Sequence, residues 1–127
     1  MPLRMGFTTT EREKLGVLVN NISIYATQLV MRGGSEILMR SLTNLAKLRK
    51  EQEDLLKRLD ELAREQNEES PLRVIEDLRT VPVDLAQMLT LVRRCLLASA
   101  FLGHLLAQPI HPQEEAAQVL TRERQLH

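Results

Sequence analysis

Residues 35–66 read SEILMRSLTNLAKLRKEQEDLLKRLDELAREQ and contain neither glycine nor proline. Nothing in this run forces the backbone out of the helical region, and its leucine, lysine, arginine and glutamate rank among the better helix formers. The apolar side chains recur at helical steps. Ile37, Leu38, Leu42, Leu45 and Leu48 make a broad face, which narrows to Leu55, Leu59 and Leu62 with Leu56 alongside. Positions 45, 48, 52, 55, 59 and 62 alternate steps of three and four, a heptad seam whose single polar member is Gln52. Around that seam the surface from Lys47 to Glu65 is largely charged, and Glu53 with Lys57 and Asp60 with Arg64 are spaced four apart for pairing. The sequence therefore predicts one helix over 35–66, about 48 Å long. Its coiled-coil-like seam cannot be covered by one strand alone.

Before this helix stands Gly33-Gly34, where a left-handed residue can close a helix at little steric cost, and Ser35 offers a new cap. A first helix, 11–32, is predicted upstream, because Leu15, Leu18, Ile22, Tyr25 and Leu29 form one stripe. Thr8 with Glu11, or Thr10 with Glu13, has capping-box spacing, and residues 1–10 read as a flexible arm. Asn20 and Asn21 weaken the middle of this helix, so tertiary contacts must hold it.

After the long run, Asn67–Ser70 is a polar break, and Ser70-Pro71 places a cap before a proline at the first helical position. A short helix over 71–79 is predicted, then, past Pro82, a fourth over 83–107. In its first half Leu85, Leu89, Val92 and Leu96 face one way while Thr90, Arg93 and Arg94 face the other. Beyond Arg94 the polar side continues as Leu97, Phe101 and His104, so the helix becomes apolar nearly all round. Such a helix is wrapped on every side or covered by another chain. Pro109 and Pro112 end it, and 109–127 reads as a proline-broken tail or short helix. The expected fold is all-α: an antiparallel hairpin of the first two helices, with the further helices completing a small bundle over 11–108.

Composition agrees. One Tyr, two Phe and no Trp leave the core to leucine and its aliphatic companions, a composition that suits helices better than a sheet. At 127 residues the chain fits one domain. Lys plus Arg equals Asp plus Glu at 17 each, so no overall field draws it to nucleic acid or an anionic membrane. The distribution is dipolar: residues 1–50 hold 8 basic and 3 acidic side chains, residues 51–90 hold 5 and 11. The sole cysteine, Cys95, excludes an intramolecular disulfide and points to a reducing, cytoplasmic setting. No apolar run follows Arg4 as a signal peptide requires. Within Leu85–Leu106, Arg93 and Arg94 leave only Cys95–Leu106 uncharged, too short for the roughly 30 Å of a bilayer, so no transmembrane segment is expected.

The chemistry-bearing residues do not assemble. His104 lies seven residues before His111, and His127 ends the sequence, so the three- or four-residue spacing of helical metal ligands is missing. His104 reads as a partly buried helix residue. Arg93 and Arg94 flank Cys95 in sequence but point to other faces of a helix, which leaves Cys95 as core packing. Glu65, Glu68 and Glu69 could attract a cation, but the plainer reading is a solvated connection. Arg122 and His127 have a spacing found in some helical ribonucleases, without the rigid support a site needs. Residues 83–94 run on as one helix, unlike a helix-turn-helix reader. No phosphate loop or nucleophile elbow is present.

These features predict a non-enzymatic interaction or scaffold protein without cofactor or metal, a homo-oligomer or a subunit of a larger complex. The expected contacts are the seam Leu55, Leu59 and Leu62 and the patch Leu97, Phe101 and Leu105, with Gln52 setting register. The alternative is a DNA-associated regulator using Arg40, Lys47, Arg49 and Lys50, although aromatics for base stacking are scarce.

Overall fold

The computed structural model describes residues 6–31, 35–80 and 82–108. It is all-helical, with α1 (Thr9–Met31), α2 (Ser35–Glu51), α3 (Glu53–Glu65), α4 (Pro71–Asp77) and α5 (Leu85–Leu106). The bundle packs α1 against both α5 and α2, and α3 against α4. The expected tail, 109–127, and the Gly33-Gly34 turn lie outside the described residues.

The predicted 35–66 helix is two helices. At Gln52 the backbone leaves helical geometry, with φ −115° and ψ 37°. The hydrogen-bond ladder continues across it, because Gln52 N donates to Leu48 O at 2.8 Å and Leu56 N to Gln52 O at 3.0 Å. The break is thus a local distortion between α2 and α3, at the polar member of the leucine seam.

Helix ends follow local chemistry. Thr8 and Glu11 form the capping box: Glu11 N donates to Thr8 Oγ1 at 3.1 Å, and Thr8 N to Glu11 Oε1 at 2.9 Å. Phe7 just before it is fully buried, so the expected arm is already part of the fold from that point. Asn67, at φ 55°, closes α3, with Asn67 N on Arg64 O at 3.3 Å and Glu68 N on Ala63 O at 2.8 Å. Asparagine tolerates this left-handed conformation better than most residues, and the two bonds satisfy carbonyls that the helix end would orphan. Ser70 is the N-cap of α4 by position, yet its buried hydroxyl makes no cap bond; Pro71 starts the helix. Asp84 caps α5, accepting from Gln87 N at 2.8 Å, while Val83 N donates to Gln87 Oε1 at 2.9 Å.

One apolar core holds the helices together. Leu15, Leu18, Ile22 and Tyr25 meet Leu45, Leu56, Leu59, Leu62, Val74, Leu78, Cys95 and Leu102. Each such leucine contributes roughly 1.5–3 kcal/mol on burial. Polar ties fix the pairing. Ser23 Oγ lies 3.3 Å from Ser99 Oγ, and Arg12 donates to Leu106 O at 2.6 Å, so α1 and α5 run in opposite directions. Buried Asn21 donates to Val17 O at 2.8 Å and accepts from Asn44 Nδ2 at 3.1 Å, which is how the weak middle of α1 is held. Arg58 reaches Glu11 at 2.9 Å and Gly6 O at 2.6 Å, with its guanidinium 4.1 Å from the centre of the Phe7 ring.

Candidate functional site

Of the six leucine and phenylalanine positions expected to meet a partner, five belong to the core of this chain. Leu55, Leu59, Leu62, Phe101 and Leu105 are buried among α1, α3, α4 and α5, and this corrects the sequence reading. The seam that one strand cannot cover is covered by the other helices of the same chain. Leu97 alone stays open, 45% exposed.

Further open apolar surface on α5 lies at three of the four residues Leu85, Leu89, Val92 and Leu96 that share one side of the helix. Leu85, Leu89 and Leu96 are 59%, 54% and 60% exposed. The core side carries Leu91, Cys95, Ala98, Phe101, Leu102 and Leu105, and Val92, which shares the helical stripe of Leu89 and Leu96, is buried as well. Both sets have helical spacing, so periodicity could not decide between them. Arg94 decides it: its Nε donates to Glu69 Oε1 at 2.6 Å and its terminal nitrogen to Asp77 Oδ2 at 2.7 Å. Those bonds fix the rotation of α5 against α4. Glu69 is thereby a partner of Arg94, while Glu65 and Glu68 are exposed.

At about 100° per residue, Leu85, Leu89, Leu96, Ala100, Gly103 and Ala107 fall within about 60° of arc on the outward side. Ala100, Gly103 and Ala107 are all exposed. A Cβ built on Gly103 would meet nothing within 4 Å, so packing among the described residues does not require glycine there. Arg93 and Leu97 stand to one side of the stripe, with His104, which is exposed and not partly buried as its sequence context suggested. Val30 and Met31, 57% and 70% exposed, end α1 at the same end of the molecule as Leu85 and Leu89, because α1 and α5 are antiparallel. By length and composition α5 is long and apolar enough to cross a membrane, which the sequence reading had set aside by splitting the run at Arg93 and Arg94.

The basic set is partly committed to acidic neighbours. Lys47 lies 4.0 Å from Glu51, and Arg49 is 2.8 Å from Glu76, while Arg40 and Lys50 are exposed. A groove beside them takes Lys57, Arg79, Glu53 and Glu76 into its lining, so its charge is mixed.

Cys95 is fully buried. Burial pushes its thiol up to about 11, with Arg94 opposing and Glu69 reinforcing the shift. A protonated thiol in a packed core is a poor nucleophile. Among the described residues no three His, Cys, Asp or Glu side chains are grouped to hold a metal ion. His111, Arg122 and His127 lie outside the described residues.

No family model, no curated protein and no solved structure matches this chain.

Proposed function

We propose that this chain is a non-enzymatic protein-contact module whose working surface is the outward face of α5. The observation that carries this reading is the set of three leucines, each more than half exposed, on one stripe of a helix whose other side builds the core. Isolated exposed leucines are ordinary, but three of them on one side of a single helix favour a surface that is covered. The small residues further along the same stripe let another backbone come close.

Magnitudes bound the strength of this contact. Covering a leucine that is already partly buried yields roughly 1 kcal/mol. Several of these must offset about 4–15 kcal/mol of lost translational and rotational freedom. A single stripe therefore gives reversible association, strengthened where Leu97, Val30 and Met31 join. The remaining helices act as a frame. The Asn21–Asn44 and Glu11–Arg58 contacts support an antiparallel hairpin of α1 with the α2–α3 run, and the α3 leucines anchor it. The buried, protonated Cys95 suits an intracellular, reducing setting. Nucleic-acid binding has less to support it, since two of the four basic candidates already face carboxylates.

The test is sedimentation velocity on the wild type and on Leu89→Glu with Leu96→Glu, alongside retention of other proteins by the immobilised chain. Both substitutions sit at exposed positions, so helicity and thermal stability should hold while association is lost. A double variant that keeps every association of the wild type overturns the reading.

A further inference from the structure

We propose that the occupant of the α5 face is a second copy of this chain, with the two α5 helices antiparallel about a two-fold axis beside Leu96. The inference rests on the reading of α5 as a contact surface and names its partner.

The first argument is the size gradient along the stripe. Its bulky members, Leu85 and Leu89, lie in the N-terminal half of α5, whereas Ala100, Gly103 and Ala107 lie toward the C-terminal end. Antiparallel pairing centred on Leu96 sets Leu85 against Ala107 of the second copy, Leu89 against Gly103, and Leu96 against Leu96. Away from the axis each leucine then faces a small residue, Leu96 meets Leu96 at the axis itself, and the two-fold repeats each match, as an isologous interface requires. Parallel pairing stacks leucine on leucine at one end and glycine on glycine at the other, so the helices splay and leave a gap.

Gly103 supplies the second argument. Glycine inside a helix is unfavourable relative to alanine, and here a Cβ would meet nothing within 4 Å among the described residues. A bare backbone at this position leaves room for the close approach of another helix, and Leu89 of a second copy is the group the two-fold brings there.

Charge selects the same orientation. Among the described residues of α5, Arg93 is the one charged residue beside the stripe. Parallel pairing places it directly against its own copy. The antiparallel register separates the two along the axis by six residues, roughly 9 Å, close to the Debye length of about 8 Å in physiological salt. The area is compatible with a weak dimer: a strip as long as α5, roughly 33 Å, and about one helix diameter wide buries on the order of 400 Å² from each chain, which belongs to the transient class.

Cysteine cross-linking tests the geometry. Leu96→Cys, Leu89→Cys and Gly103→Cys are each prepared in the full chain, with the wild type as control because its own Cys95 is buried. Under mild oxidation Leu96→Cys should form a disulfide dimer by itself. A mixture of Leu89→Cys with Gly103→Cys should give at least ten times more dimer than either variant alone. Leu89→Cys dimerising alone as readily as in the mixture overturns the antiparallel register, and absence of dimer in all three overturns the second copy. A wild type that is monomeric at every concentration, yet loses a foreign protein on Leu89→Glu with Leu96→Glu, overturns the second copy and leaves the contact-surface reading standing. Partition of that monomer into phosphatidylcholine vesicles, lost in the same variant, overturns both.

Discussion

Replacing Gly103 by leucine should move folding stability and association in opposite directions. The site is exposed in the last turns of α5, and a Cβ there meets no atom of the described residues within 4 Å. Within one protomer the substitution therefore removes the helical penalty of glycine without a clash, a gain of roughly 0.5–1 kcal/mol. At dilutions where the chain is monomeric, the thermal midpoint should rise by about 2–4 °C. In the assembled protein the new side chain fills the place that the opposing helix needs. Overpacking of this kind costs roughly 1–3 kcal/mol, so association should weaken by about tenfold or more. Thermal unfolding by circular dichroism reads the first effect and sedimentation equilibrium the second. Higher stability with unchanged association means that nothing approaches Gly103, and the reasoning fails. Lower stability of the monomer would show that the chain itself packs against that position.

Other sites give independent checks. Arg58→Ala removes the links to Glu11 and Gly6 and the stacking on Phe7, and should cost about 2 kcal/mol in urea unfolding. Asp84→Ala deletes the bond to Gln87 N and should cost about 1 kcal/mol, read by the same titration. The Cys95 thiol, raised from 9.0 to about 11 by burial, should resist alkylation at neutral pH until the chain is unfolded, as mass spectrometry would register. Below pH 9 both folded and unfolded states keep that proton; between 9 and about 11 only the unfolded state releases it. Stability should therefore be full below pH 9 and decline as the pH rises toward 11, with Tyr25, also raised by burial, adding to the loss. A chemical denaturation series across that range that stays flat contradicts the burial of both groups.

The helices and their caps were legible because each rests on local chemistry: Thr8 with Glu11, Pro71 at a first turn, and the stripe Leu15, Leu18, Ile22 and Tyr25. The break at Gln52 was visible only as one polar residue in a leucine seam, which periodicity treats as a register device. The rotation of α5 was not legible. Leu85, Leu89 and Leu96 make as good an inward stripe as Cys95, Ala98, Leu102 and Leu105. The choice depends on Arg94 meeting Glu69 and Asp77, a contact between distant residues that no spacing rule encodes. The same ambiguity misplaced the surface. Phe101 and Leu105 turn inward with Val92, while Leu85, Leu89 and Leu96 stay exposed beside Leu97. The glycine at 103 was the local clue on that stripe, because glycine weakens a helix interior relative to alanine.

The covering of α5 can be observed directly through its leucine methyl groups. Methyl-labelled protein is recorded with a soluble paramagnetic relaxation agent at low and at high protein concentration, with Val17, 49% exposed on α1, as the internal reference. Leu85, Leu89 and Leu96 should relax as fast as Val17 in dilute solution and become protected as concentration rises, while Val17 does not change. Equal and undiminished relaxation of all four residues at every concentration, with no other protein able to slow it, would contradict the assignment of this face as a contact surface.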